Sequence, residues 1–292
     1  MSKPVILIPG SAGQVGRALL NLAQAFPDFQ FLPVTREELN IGDAGSVDRF
    51  FTGRRIDYCI NCAAYTAVDK AESEPEQARL VNVTGAANLA RACSRSGAPL
   101  LHLSSDYVYH NSLNRPLRED DPTEPAGVYA QTKLEGERLA LELHEQTLVV
   151  RSSWIYGISG HNFVRTMLRL GRERSHLRVV YDQIGAPTYA HDLARALLTI
   201  TEKIHQGQIT AGRWPGVYNY ANEGVTSWFD FSVAIFELCH LKCQVEAIES
   251  KDFPTPAKRP SFSVLNKEKI KSTFNLEIPH WRASLINCLA QF

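Results

Sequence analysis

The 292 residues carry 31 Lys+Arg against 31 Asp+Glu, with 44% hydrophobic side chains. That is an ordinary globular composition, large enough for one large domain or two modest ones. With no basic excess and no apolar run long enough to span a bilayer, neither nucleic acid nor a membrane is expected as a partner.

The opening Met-Ser-Lys-Pro runs straight into an apolar segment and has no signal-peptide features. Residues 5–8 read as a buried strand. Gly10-Ser-Ala-Gly-Gln-Val-Gly16 follows, then helical composition over 17–25. Strand, glycine turn and helix together suit a pyrophosphate, because glycines admit close backbone approach and the helix N-terminus offers N–H groups. Residues 29–34 read as the second strand. It leads to Thr35 and Arg36, where an NAD-preferring site would carry an acid. Residues 40–43 read as a turn and 46–51 as a helix capped by Ser46 or a neighbour.

Residues 57–64 are the third strand and its exit, ending in the small Ala63 and Ala64. Pro75 fits the first turn of a helix reaching residue 94, and 99–103 is the next strand. Further strands are expected at 148–156, 177–181 and 216–220, and helices at 162–174, 191–204 and 227–241. The tail has three prolines between 254 and 260 and then two weak helices. Alternating strands and helices predict an α/β fold, a doubly wound parallel sheet, with ligands at the carboxyl ends of its strands. The expected division is a Rossmann domain of 1–157 continued by 183–221, and a smaller α/β substrate-binding lobe of 158–182 and 222–292.

Cys59-x-x-Cys62 lies inside an apolar stretch, without the helix start of a redox pair or the second ligand pair of a zinc site. Buried free thiols are expected there. Cys239, His240 and Cys243 sit among Phe236, Leu238 and Leu241 and read as core, so no metal site is expected. Six unpaired cysteines suit a reducing cytoplasm.

The stretch from Leu100 to Lys133 holds the chemistry. A strand ends at Ser104-Ser105-Asp106, and a helix opens with Tyr129-Ala-Gln-Thr-Lys133. Four residues apart on a helix, Tyr129 and Lys133 share a face. An ammonium beside a phenol favours the phenolate, which would make Tyr129 a proton donor and acceptor near neutral pH. Ser105 can hydrogen-bond the same reacting oxygen. Taken alone, Tyr-x-x-x-Lys is more often a surface pair; its meaning comes from the strand ends that converge on it.

With those residues in place the chain resembles the extended short-chain dehydrogenase/reductase family and, within it, dTDP-4-dehydrorhamnose reductases. The segments that carry the resemblance are the glycine turn, Asn61-Cys-Ala-Ala-Tyr-Thr-Ala-Val-Asp-Lys-Ala-Glu72, Ser104-Ser-Asp-Tyr-Val-Tyr109 and Val128-Tyr-Ala-Gln-Thr-Lys-Leu-Glu-Gly-Glu137. Arg151-Ser-Ser-Trp-Ile-Tyr-Gly157, Asn162-Phe-Val-Arg-Thr-Met-Leu168, Asp182-Gln-Ile-Gly-Ala-Pro-Thr188 and Arg259-Pro-Ser-Phe-Ser263 extend it over nearly the whole chain.

The resemblance implies reduction of the C4 ketone of a dTDP-linked 6-deoxy sugar by NADPH, with NADH possible. Ser105, Tyr129 and Lys133 would be catalytic, and Ser105, Asp106, Tyr129, Trp154 and Arg259 would meet the substrate. Gly10, Gly13, Gln14, Val15, Gly16, Arg36, Asn40, Ile41, Ala63, Ala64, Tyr65 and Thr66 would line the cofactor, with Tyr129 and Lys133. Ser105 stands where the family usually has Thr, and Ala130 replaces a common Gly. Some members form a Mg2+-linked dimer through acidic C-terminal residues. This chain ends Asn287-Cys-Leu-Ala-Gln-Phe292, which leaves Mg2+ and the choice between monomer and homodimer open. A sugar dehydratase would need a second acid after Asp106, where Tyr107 stands. A 4-ketoreductase of other stereochemistry, or a regulatory subunit like the methionine adenosyltransferase beta subunits, shares much of the pattern.

Overall fold

The computed structural model describes residues 2–110, 112–210 and 212–292. The first half alternates as expected. β1 (Val5–Pro9) leads to helix α1 (Gln14–Asn21), β2 (Gln30–Val34) to α2 (Ala44–Phe51), and β3 (Tyr58–Asn61) to α3 (Val68–Ala71), α4 (Pro75–Arg79) and α5 (Gly85–Ser96). β4 (Leu100–Ser105), α6 (Val128–Leu143) and β5 (Thr147–Ser152) complete it. The second half holds β6 (Ile155–Tyr156), α7 (Phe163–Glu173), β7 (His176–Val180), β8 (Ile184–Gly185), β9 (Thr188–Tyr189), α8 (Ala190–His205) and β10 (Gly216–Tyr220). It ends with β11 (Thr226–Ser227), α9 (Trp228–Leu238), β12 (Gln244–Ile248), α10 (Glu268–Phe274) and α11 (Trp281–Leu289).

Six strands form one parallel sheet in the order β10-β5-β4-β3-β1-β2. The order reverses direction between β1 and β3, so the crevice between their carboxyl ends is where a doubly wound sheet receives its ligand. Strands buried on both faces need continuous apolar runs, and β1, β3 and β5 are buried at every position. One apolar cluster packs α1 and α8 on one face of this sheet, and a second packs α2 and α5 on the other. A third core is separate, built from α7, α9, α11 and the β7–β12 pair. Ile270 and Phe274 of α10 belong to the first cluster.

Several boundaries differ from expectation for physical reasons. α1 starts inside the glycine motif, because Gly13 takes extended backbone and acts as N-cap. α2 starts at Ala44, capped by Asp43 and not by Ser46: the Asp43 carboxylate accepts from Gly45 N at 2.9 Å. The strand expected over 148–156 breaks in two at Trp154, whose φ of 48° leaves the extended region. β12 was not expected. Between α4 and α5 the chain stays helical but widens into a π turn, Leu80–Thr84. Gly136 of α6 faces that turn so closely that a Cβ there would lie 2.0 Å from Asn82 O.

Candidate active site

The glycine turn closes on itself through Gly13 N donating to Gly10 O at 3.0 Å. Gly10 has φ +75°, and a Cβ would meet the Ala63 backbone at 2.6 Å; one on Gly16 would meet Gly10 O at 2.6 Å. Both positions are therefore closed to any side chain. No side chain caps α1. The N–H groups of its first turn, on Gln14, Val15 and Gly16, are left for an anion at the positive end of the helix dipole. The Gln14 side chain does not join them. Its Oε1 accepts from Asn162 Nδ2 at 2.9 Å and its Nε2 donates to Ile155 O at 3.4 Å. Sequence reasoning put Gln14 on the pyrophosphate; only its backbone is free for that.

The opposite wall of the crevice is the β3 exit. Asn61 Oδ1 accepts from Ala63 N at 3.0 Å, and Ala63 and Ala64 are half-buried. Tyr65 N donates to Asn82 Oδ1 at 2.8 Å and its hydroxyl to Glu74 at 2.7 Å, while Thr66 is exposed. Past β2, Arg36 is exposed and Glu38 turns back to accept from Thr35 N at 2.8 Å. Asn40 is half-buried, and Ile41 is buried with its carbonyl held by Asn88. Ile41 thus packs into the core beside the crevice.

β4 and α6 bring the catalytic candidates together. Ser105 ends β4 and donates to Asp106 Oδ1 at 3.1 Å. Burial pushes the Tyr129 phenol up to about 12, against a hydrogen bond shared with Ser105 that lowers it, with Asp106 adding to the rise. Burial pushes Lys133 down to about 8, opposed by Glu137 one turn on. The expectation that the Lys133 ammonium lowers the tyrosine does not hold in this geometry. Lys133 Nζ donates to Leu103 O at 2.7 Å, and removing both groups from water moves each toward its neutral form. A neutral phenol is the form that can give a proton. Glu137 is itself fixed by a buried ion pair with Arg151 of β5. Asp106 is buried, its Oδ2 has no hydrogen-bond partner, and burial pushes it up to about 7 against the Ser263 and Ser105 hydroxyls.

Beyond Tyr129 the site opens into a cavity of about 890 Å3, walled by Tyr107, Phe163, Met167, Trp228, Phe253 and Arg259. The Tyr107 and Tyr129 rings meet edge-on at 5.5 Å, joining the cavity to the catalytic corner. Trp154 stacks on Trp228 at 3.6 Å and 10°. Behind it, Gly185 leaves room for the indole: a Cβ there would lie 2.7 Å from Trp154 Cε2. Ser153 Oγ donates to Ala186 O at 2.8 Å. The Asp182–Thr188 segment therefore builds the seat of Trp154. Sequence reasoning missed Trp228; its only trace was a Trp directly after the helix cap Ser227.

Arg259, expected to meet the substrate, lies in the cavity wall and is already engaged. It pairs with both oxygens of Asp69, at 3.0 and 2.7 Å, and donates to Ala257 O. Its Nε and one Nη2 hydrogen are not used by these bonds. Cys59 is fully buried and hydrogen-bonded with Cys93, while burial pushes the Cys62 thiol up to about 12. Among the described residues no group of three or more His, Cys, Asp or Glu is placed to hold a metal ion.

A family described as the RmlD substrate binding domain matches residues 4–292. The chain belongs to this family. A dTDP-4-dehydrorhamnose reductase of Aggregatibacter actinomycetemcomitans is 39% identical over 291 residues, covering 98% of both chains. Among solved structures, a dTDP-4-dehydrorhamnose reductase of Clostridium acetobutylicum superposes with TM-score 0.92 at 36% identity, over 98% of this chain and 99% of the other. One from Bacillus anthracis in complex with NADP gives TM-score 0.92 at 34% identity, over 99% of this chain and 100% of the other. The resemblance read from the sequence and the doubly wound fold both stand. The RmlD family frame thus spans all three cores, from the glycine turn to α11.

Proposed function

We propose that the protein is an NADPH-dependent dTDP-4-dehydrorhamnose reductase, converting dTDP-4-dehydro-6-deoxy-L-mannose to dTDP-L-rhamnose. One observation carries the reading in a chain of this family. A neutral, Ser105-bonded Tyr129 stands between an uncapped glycine-turn helix and a cavity with aromatic and basic walls. Bound NADPH supplies the hydride. The residues of the chain do the rest. Tyr129 gives its proton to the C4 oxygen, and Ser105 steadies that oxygen. Lys133, once drawn from Leu103 O, holds the nicotinamide ribose. The first-turn N–H groups of α1 bind the pyrophosphate, with Gly10, Gly13 and Gly16 giving clearance and Ala63, Ala64, Tyr65 and Thr66 forming the facing edge. Asn40 and Ile41 border the adenine side.

Arg36 meets the 2′-phosphate: Thr35 and Arg36 stand where an NAD-preferring site carries its acid, and the nearby Glu38 carboxylate is tied back to Thr35 N at 2.8 Å. A charge-assisted contact of about 1.5–3 kcal/mol corresponds to a preference for NADPH over NADH of roughly tenfold or more. Asp106 and Trp154 face the sugar, and Arg259 offers its remaining N–H groups to the diphosphate. The division of labour follows the separate cores: 1–157 with 183–221 for the cofactor, 158–182 with 222–292 for the substrate, α10 crossing back. Among the described residues no helix is long and apolar enough to cross a membrane. Six free thiols support a cytoplasmic location.

The test is direct. Purified protein mixed with NADPH and the dTDP-4-keto sugar should consume NADPH with a 1:1 yield of a product whose NMR spectrum is that of dTDP-L-rhamnose. No consumption, or a product of the other C4 configuration, would refute the assignment.

A further inference from the structure

Gln14 belongs by sequence to the cofactor turn, yet its whole side chain is spent on the other side of the site. Its Oε1 accepts from Asn162 Nδ2 at 2.9 Å, and its Nε2 reaches Ile155 O at 3.4 Å. Asn162 is 6% exposed and fully committed. Its amide also donates to Gly157 O at 2.9 Å and Ser159 O at 3.3 Å, and its Oδ1 accepts from Arg165 N at 3.1 Å, capping α7. Glycines make room for the link: a Cβ on Gly160 would lie 3.2 Å from Gln14 Cγ, and one on Gly157 3.3 Å from Ala190 Cβ. From this anchored cap, α7 sends Phe163, Thr166, Met167 and Leu170 into the wall of the cavity. Phe163 also packs on Trp228, 4.4 Å between ring centres, and so supports the Trp154 stack.

We infer that Gln14 is, through its side chain, a positioning residue for the substrate wall: by way of Asn162 it fixes the start of α7 to the cofactor turn, so the side chain governs the sugar nucleotide while the backbone N–H is left for the dinucleotide. The inference rests on the substrate reading above, but the latch itself is testable without it. It sets a residue of the cofactor motif to work on the other ligand, the reverse of what its position in the motif suggests.

The test uses Gln14→Met, which keeps the length of the side chain and drops both hydrogen bonds, and Asn162→Ser, which keeps a cap for α7 but not the amide donor. Fluorescence titration should give NADPH dissociation constants within about twofold of wild type for Gln14→Met, while KM for the dTDP-4-keto sugar rises about five- to twentyfold and kcat falls less. The double variant should match the worse single one, since both break one link. Hydrogen exchange at residues 163–166 should quicken about tenfold in Gln14→Met, with the amides of the glycine turn unchanged. Weakened NADPH binding with an unchanged sugar KM would overturn the inference, as would multiplying KM effects in the double variant. If the wild type fails to turn over the sugar, the substrate reading fails, and the exchange measurement still decides: unchanged exchange at α7 ends the proposal, faster exchange upholds the latch.

Discussion

Ser105, Tyr129 and Lys133 stand on a strand and a helix that follow one another in the chain and touch in the fold, whereas the substrate wall is gathered from far apart. Asp69 and Arg259, 190 residues from each other, share one ion pair there. Trp154 and Trp228 share one stack. The corner is buried at Ser105 and Lys133 and half-buried at Tyr129, and its titratable groups are shifted by loss of water. The wall is half-open, and its groups are held by pairing. Chemistry at the corner is thus governed by desolvation, and recognition at the wall by geometry between elements. Variants at the corner should act on kcat, and variants at the wall on KM.

The largest effect is expected at the corner. Tyr129→Phe keeps the ring and loses the proton, so kcat should fall about 10²-fold or more with NADPH affinity little changed. A drop seen only in KM would move Tyr129 across to the wall. Next is Arg259→Ala. Losing a charge-assisted contact to the diphosphate should raise the sugar KM roughly 10- to 100-fold and leave Asp69 unpaired, with kcat changed much less. Steady-state kinetics at saturating NADPH separates the two.

Asp106 gives a test that needs no substrate. Its folded carboxyl titrates near 7, well above the ordinary range, because burial disfavours the charge. Between the ordinary carboxylate range and about pH 7 the native state therefore holds the extra proton, and native stability falls as pH rises through that window. Asp106→Asn removes this loss. Relative to wild type it should gain on the order of 2 kcal/mol between pH 5 and pH 8 in urea unfolding. A pH-independent difference would mean that Asp106 is ionised in the fold. The smallest effect is expected for Trp228→Leu, which leaves an apolar side chain under Trp154 but no ring. The sugar KM should rise about threefold, with a change in Trp fluorescence on adding dTDP. An unchanged KM would confine the stack to packing.

The corner was legible because its residues are close in sequence and its strand is an apolar run ended by hydroxyls. The glycine turn was legible because Gly10 and Gly16 leave no room for a side chain. β12 was not: Glu246 and Gln244 face water, so the segment shows neither an apolar run nor a clean alternation. The Trp154–Trp228 stack and the Asp69–Arg259 pair are long-range contacts that local pattern cannot carry. The link from the Gln14 side chain to Asn162 was not legible, because a motif reports where a backbone goes and says nothing of where a polar side chain finds its partner. The lowered tyrosine pKa was not met because burial raises the phenol, a loss of water that helical spacing does not report, while the Lys133 ammonium is bonded to Leu103 O.

The widened turn at Leu80–Thr84 works as a tooth. It pushes the Asn82 carbonyl into the notch that Gly136 leaves in α6, so the helix bearing Tyr129 and Lys133 is indexed against its neighbour and cannot slide along it. Residue 136 meets no ligand and takes no part in proton transfer. Yet a single methyl group there would shift the proton donor relative to the hydroxyl of Ser105, so the tolerance of this enzyme to change is narrow at a position that a survey of ligand contacts would pass over.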